Sequence, residues 1–177
     1  MISLEKYYKD IIKYDLVNKF SYTNSKKIPK LKKIILSFSS KKIDFKILTS
    51  TLLALKLISN RTGQLTVAKK PNLLLKIRKG NPVGCKVMLT KKSMYDFLEK
   101  LIFDILPKIK KPLDLKSNPN INTLTFTIEN PLIFKELEKN YFLFNSLKNL
   151  QIIIISNTTN NNELFFLLNS FKLLYKK

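Results

Sequence analysis

Acid–base and covalent chemistry have few candidates in this chain. Histidine is absent, so the commonest general base and metal ligand is missing. Cys85 is the single cysteine and falls on the apolar side of an alternating segment, which predicts an inert core thiol. Asp96, Glu99 and Asp104 form the densest carboxylate group. Lys92–Asp96 and Asp96–Lys100 have the i,i+4 spacing of ordinary helix-surface pairs, which predicts a solvated face and no catalytic centre. What remains is cationic. The glycines Gly63, Gly80 and Gly84 are the only three in the chain, and they sit among Arg61, Lys69, Lys70, Lys76, Arg78, Lys79 and Lys86. Glycine permits positive φ and close backbone approach. Basic residues with close backbone approach are the chemistry of phosphate contact.

Those cations belong to a wider imbalance. The chain has 177 residues, a formal net charge of +21 and a pI near 10.0. Between Asp15 and Asp96 the only acid is Asp44. Such a charge repels itself in a compact state, and a polyanionic partner relieves the repulsion. Nucleic acid, an anionic membrane surface and an acidic protein are the candidates. The membrane is disfavoured, because no basic, tryptophan-bearing amphipathic stripe is present. No apolar run reaches the ~18 residues of a membrane-spanning helix. The single cysteine and missing histidine leave no disulfide framework and no Cys/His metal set, so no cofactor is implied. Gly80-Asn81-Pro82-Val83-Gly84 lacks the Lys-Ser/Thr pair and following helix of a phosphate-binding loop. The skew toward Lys, Asn, Ile, Leu and Phe follows AT-rich codons, such as those of an organellar genome.

The surrounding segments decide where these residues fall. Leu4, Tyr8, Ile11, Ile12 and Leu16 predict an amphipathic helix to Phe20. Leu31–Phe38 reads as a strand, and Phe45–Ile58 as a helix opening at Asp44. Gln64–Val67, Leu73–Arg78 and Val83–Thr90 read as three strands, with Ala68–Asn72 a basic loop and Lys79–Pro82 a turn. In the third strand Cys85, Val87 and Leu89 face one way, and Lys86, Met88 and Thr90 the other. Met94–Ile105 is the clearest helix, followed by Pro107. Residues 108–120 read as a polar connection, Asn122–Glu129 as a strand, and Pro131–Leu137 as a short helix or turn. Leu150–Ser156 reads as a strand buried on both faces, and a last helix starts at Asn160–Glu163. Phe97, Phe165, Phe166 and Phe171 fall at helical spacing and predict core. The class is α+β: an antiparallel or mixed sheet with helices packed on one face. A single domain over 1–177 is expected, with a basic part at 1–107 and a part completing the sheet at 108–177.

Thr62-Gly-Gln, then Lys76-Ile-Arg-Lys-Gly-Asn-Pro-Val-Gly-Cys-Lys-Val, then Met94-Tyr-Asp-Phe-Leu-Glu-Lys-Leu-Ile with Leu106-Pro-Lys-Ile, resemble the large-subunit ribosomal protein of the L-five family, which binds 5S rRNA. Leu4-Glu-Lys-Tyr-Tyr-Lys-Asp, Ile28-Pro-Lys-Leu-Lys-Lys-Ile, Asn130-Pro-Leu-Ile-Phe-Lys-Glu and Leu150-Gln-Ile-Ile-Ile-Ile extend the likeness to both ends. The likeness begins near Met1, so no presequence is expected. The resemblance implies a sheet whose open, concave face grips 5S rRNA or the equivalent RNA of the central protuberance, beside neighbouring ribosomal proteins. It also implies a loop reaching toward peptidyl-site tRNA. Carried over, Gln64 matches an RNA-facing glutamine, while Ser37 stands for the family's Asn, Leu75 for its Phe and Met88 for its Thr. Phosphate contacts are expected from Lys33, Lys69, Lys70, Lys76, Arg78, Lys79 and Lys86, and the tRNA-facing loop is Lys69, Lys70, Pro71 and Asn72. That loop is shorter than the family's and lacks its glycine, and Asn118-Pro119-Asn120 replaces a glycine-rich stretch. The expected role is a structural, non-enzymatic constituent of the large ribosomal subunit, with an RNA-processing enzyme or a free translation factor as the alternative. With the codon skew, the expected location is the mitochondrial matrix, with a plastid or an AT-rich bacterial cytoplasm as alternatives.

Overall fold

The computed structural model describes residues 3–39, 44–109, 116–118, 122–158 and 160–173. Six strands, β1 Leu31–Ser39, β2 Gln64–Val67, β3 Pro82–Leu89, β4 Lys116–Asn118, β5 Thr123–Ile128 and β6 Leu150–Ser156, form one sheet in the order β2-β3-β1-β6-β5-β4. The outer pairs β2–β3 and β4–β5 are antiparallel. The α+β class expected from the residues is the class observed. Chain contacts divide into two compact units, Met1–Ile34 with Thr90–Phe126 and Ile153–Lys177, and Ile35–Leu89 with Thr127–Ile152.

In the first unit the N-terminal helix is α-helical at Leu4–Tyr7, widens to a π-type turn at Tyr8–Ile12 and is α-helical again at Lys13–Lys19. Ile12 and Leu16 are fully buried, but Ile11 is exposed, which narrows the expected stripe. This helix packs on the Lys91–Lys100 helix, which itself continues through a π-type Leu101–Ile105. The Tyr8 ring lies 6.5 Å from Tyr95 and 6.2 Å from Phe171, and the Tyr8 hydroxyl donates to the Pro29 carbonyl at 2.8 Å. Phe97 and Phe171 are core, as their spacing predicts.

Burial first, then neighbouring Tyr8 and Glu5, push the Tyr95 phenol from 10.0 up to about 12. The folded state therefore favours the neutral phenol. Its contribution to stability is whole below pH 10.0 and is lost as pH rises through about 12. Tyr95→Phe should flatten the alkaline loss of stability in pH-resolved thermal unfolding. A wild-type slope in that window retained by the variant would contradict this.

In the second unit the Phe45–Ser59 helix packs on β3. Asp44 caps it by accepting the Lys46 N–H at 3.0 Å, and Asn60 closes it at φ 52°. Leu48, Leu55 and Ile58 are buried. Cys85 is fully buried, 3.0 Å from Thr51 Oγ1, and burial pushes its thiol pKa up, so it is the inert core residue its strand position predicts. Gly84 is fixed by close approach. A Cβ there would lie 2.3 Å from the Phe38 carbonyl oxygen, so β3 meets β1 only because position 84 has no side chain.

Three expectations are corrected. Leu73–Arg78 is not a strand. Residues 73–76 form a turn closed by Asn72 and Ile77, whose N–H and carbonyl groups exchange two 2.9 Å hydrogen bonds. β6 is not buried on both faces: Leu150, Ile152 and Ile154 are buried, Gln151 is exposed, and Ile153 and Ile155 are half-buried. Residues 108–120 are not purely a connection, since β4 pairs there with β5, Lys116 opposite Thr125. The four-residue helix Tyr141–Phe144 went unpredicted because it is apolar throughout, with Phe144 buried and Tyr141, Phe142 and Leu143 exposed, so it shows no core periodicity.

Candidate nucleic-acid interface

Strand alternation builds the site. On β3, Cys85, Val87 and Leu89 are buried toward the helix, while Lys86 is half-buried and Met88 exposed on the opposite face. Gln64 is the cross-strand partner of Lys86, and Thr66 that of Gly84, so both share that uncovered face. Ser37 occupies a half-buried position of β1 between buried Leu36 and Phe38, and its hydroxyl donates to Gln151 Oε1 at 3.4 Å. Polar Ser37, Gln64, Gln151 and Lys86 thus mark an open face on these strands. Lys33, half-buried on β1, belongs to the other unit.

From the β2–β3 end projects the loop of residues 68–81. Its base is closed by the Ala68 N–H to the Asn81 carbonyl and the Gly80 N–H to the Ala68 carbonyl, both 2.9 Å. Ile77 is buried and anchors the middle. Asn72 organises the tip. Its Oδ1 accepts the Leu75 N–H at 3.3 Å, and Lys76 adopts the left-handed region at φ 53°. Lys69, Lys70, Pro71, Asn72, Leu75, Lys76, Arg78 and Lys79 are all exposed. Among the described residues, no carboxylate pairs with Lys69, Lys70, Lys76, Arg78, Lys79 or Lys86. Leu75 therefore lies neither in the core nor on the open sheet face; it is part of the loop tip. Leu73 and Leu74, which periodicity assigned to a strand, are exposed beside it. The Asn72 side chain was the sequence signal that could have marked this turn.

Gly80 has φ +90°, and a Cβ there would meet nothing within 4 Å. Only backbone strain opposes a side chain. Gly80→Ala should cost about 1–2 kcal/mol in thermal unfolding, and Gly80→Asn less, because Asn tolerates positive φ better. Equal stability of all three proteins would show the turn to be unstrained.

Among the described residues no cluster of three His, Cys, Asp or Glu could hold a metal, and no helix is long and apolar enough to cross a membrane. The arrangement suits a ligand that presents many phosphates and tolerates apolar contact. Residues 82–175 match the model of the C-terminus of the ribosomal L5 family. The chain is 36% identical over the full length of both proteins to the large ribosomal subunit protein uL5m of Reclinomonas americana. It is 34% identical to uL5 of Blochmanniella floridana, covering 97% of this chain and 92% of that protein. It is 33% identical to uL5 of Wigglesworthia glossinidia brevipalpis, covering 99% and 100%. Covering 92–100% of the length of these relatives and carrying the family's C-terminal part, the chain belongs to the L5 family of large-subunit ribosomal proteins.

Proposed function

We propose that this chain is a structural constituent of the large ribosomal subunit. It holds 5S rRNA, or the equivalent RNA of the central protuberance, on the open face of β1–β3, and its 68–81 loop points toward peptidyl-site tRNA. The single observation that carries the RNA contact is the coincidence of an uncovered polar sheet face with cations that no carboxylate among the described residues neutralises. Gln64 and Ser37 supply hydrogen-bonding groups, Lys86 a phosphate contact, and Met88 an apolar surface for ribose or base. Lys33 adds a phosphate contact from its own unit. The tRNA contact is supported by the loop's projection and by its exposed Lys69 and Lys70, while Lys76, Arg78 and Lys79, exposed on the same loop, supply further rRNA phosphate contacts. The role is architectural and not enzymatic, as the family is. The uL5m relative and the AT-rich codon skew support a mitochondrial ribosome.

Sedimentation of native extract tests the assignment. The protein should travel with the large subunit at moderate salt and leave it only as salt rises, since phosphate contacts weaken by roughly 0.7–0.9 log units per tenfold salt for each contact. A protein that remains at the top of the gradient at moderate salt would instead be a free RNA-binding factor.

A further inference from the structure

The tip of the 68–81 loop is apolar. Leu73 and Leu74 are 92% and 95% exposed and Leu75 is 44% exposed, so two of three consecutive leucines stand clear of the protein and the third is partly open. Single exposed leucines need no explanation, but three at the end of a projection do. The tip is also preorganised. The reciprocal Asn72–Ile77 hydrogen bonds, the Leu75 N–H to Asn72 Oδ1 and the 3.1 Å Lys76 N–H to Leu73 carbonyl bond fix the four-residue turn without help from a partner. Exposed Lys69, Lys70, Lys76, Arg78 and Lys79 flank the leucines along the same loop, and no acid lies between Asp44 and Asp96. That flanking charge selects the occupant. A protein surface matching the leucines would have to be apolar and strongly acidic at once. An RNA whose bases are unstacked presents both features together: flat base faces within a fence of phosphates.

We propose that Leu73–Leu75 is an apolar wedge that packs on the open face of unstacked bases in RNA, while the surrounding cations hold the flanking phosphates. The proposal rests on the RNA-binding reading above and adds a selection rule. The loop prefers RNA with unpaired, accessible bases, such as a hairpin loop, over a continuous duplex. A-form duplex keeps its base faces stacked and offers the loop only phosphate and ribose. Apolar wedges against base steps are an established way to gain such contact. Because the leucines carry no charge, their share of the affinity does not depend on salt.

The test uses the full chain and two synthetic RNAs: a stem-loop with 2-aminopurine in its unpaired loop, and a fully paired duplex of equal phosphate count. The wild-type protein should bind the stem-loop more tightly and change its 2-aminopurine fluorescence. The L73S/L74S/L75S variant should lose about tenfold or more on the stem-loop, given three leucines of buried area. It should lose the fluorescence change, keep its salt slope and bind the duplex as before. A second variant, L74S alone, should show the same pattern with a smaller loss, and thermal unfolding of both variants should match wild type. Equal wild-type affinity for the two RNAs, or equal losses on both, overturns the wedge while leaving the RNA interface in place. Stem-loop affinity untouched by the serines also overturns it and points to a protein partner for the leucines. Failure of the wild-type chain to bind either RNA with any salt dependence overturns the interface and the wedge together.

Discussion

Replacing Lys69, Lys70, Lys76 and Lys79 together by glutamine is expected to lower the salt slope of RNA binding by about 3, at roughly 0.7–0.9 per phosphate contact. At about 0.1 M salt a slope change of that size corresponds to roughly a thousandfold weaker binding. The size follows from geometry. These four side chains are exposed on one projecting loop, and among the described residues none is paired with a carboxylate. None therefore has to give up an internal partner to meet a phosphate. The change takes the formal charge from +21 to +17, since 21 − 4 = 17. A control with the same change at Lys26, Lys139, Lys148 and Lys172 separates site from net charge. The control should move the slope by less than half as much. Equal slopes for the two variants would mean that RNA responds to the overall charge and not to this loop.

The second large effect is structural. Gly84→Val should destabilise the protein by about 3 kcal/mol, the upper part of the range for overpacking, which is a fall of roughly 6–12 °C in Tm for a chain of this size. The added Cβ would stand 2.3 Å from the Phe38 carbonyl oxygen, with Ser39 Cα at 3.2 Å. Both are backbone, so no side-chain rotation relieves the clash, and β3 must move away from β1. That movement displaces Lys86 and Met88 from the face they share with Ser37, and RNA affinity should fall with stability. Gly63→Ala is the contrast. Its nearest neighbour is the flexible end of Leu52 at 3.0 Å, which can yield, so the loss should be well under half as large. Differential scanning calorimetry of the two variants decides it. A Gly84→Val protein as stable as Gly63→Ala would show that the β1–β3 approach is not the constraint.

How far the sequence reveals this molecule depends on whether a segment repeats with the period of its own element. The Cys85/Lys86 alternation was readable because one side of β3 meets a helix and the other does not. Asp44 marked a helix start because a carboxylate there accepts an otherwise orphaned N–H. Leu73–Ile77 misled because its apolar residues carry a strand-like composition while one side-chain bond from Asn72 and a left-handed Lys76 fold it into a turn. Composition records burial tendency, and these leucines are not buried. The four isoleucines of β6 misled in the opposite direction, since two of them lie on the less covered face. β4 was invisible because Lys116-Ser117-Asn118 is held by backbone pairing to β5 and has no apolar pattern at all. The candidate site was legible as a list of cations but not as a place. The sequence placed Lys33 beside the others; the structure assigns it to a different unit.

The glycines show the same division. Their clustering among lysines suggested backbone close to phosphate. Gly84 instead lets two strands meet, and Gly80 turns the chain at the base of the loop. In the proposed interface their contribution is to hold the cations in place.

A cryo-electron microscopy map of the ribosome from the source organism would show the RNA contact itself. Gln64, Lys86 and Met88 should lie against rRNA of the central protuberance, with Lys69, Lys70, Lys76 and Lys79 within reach of RNA phosphates. A map in which that strand face and loop meet only protein or solvent, while RNA packs on the Phe45–Ser59 helix, would contradict this assignment of the interface.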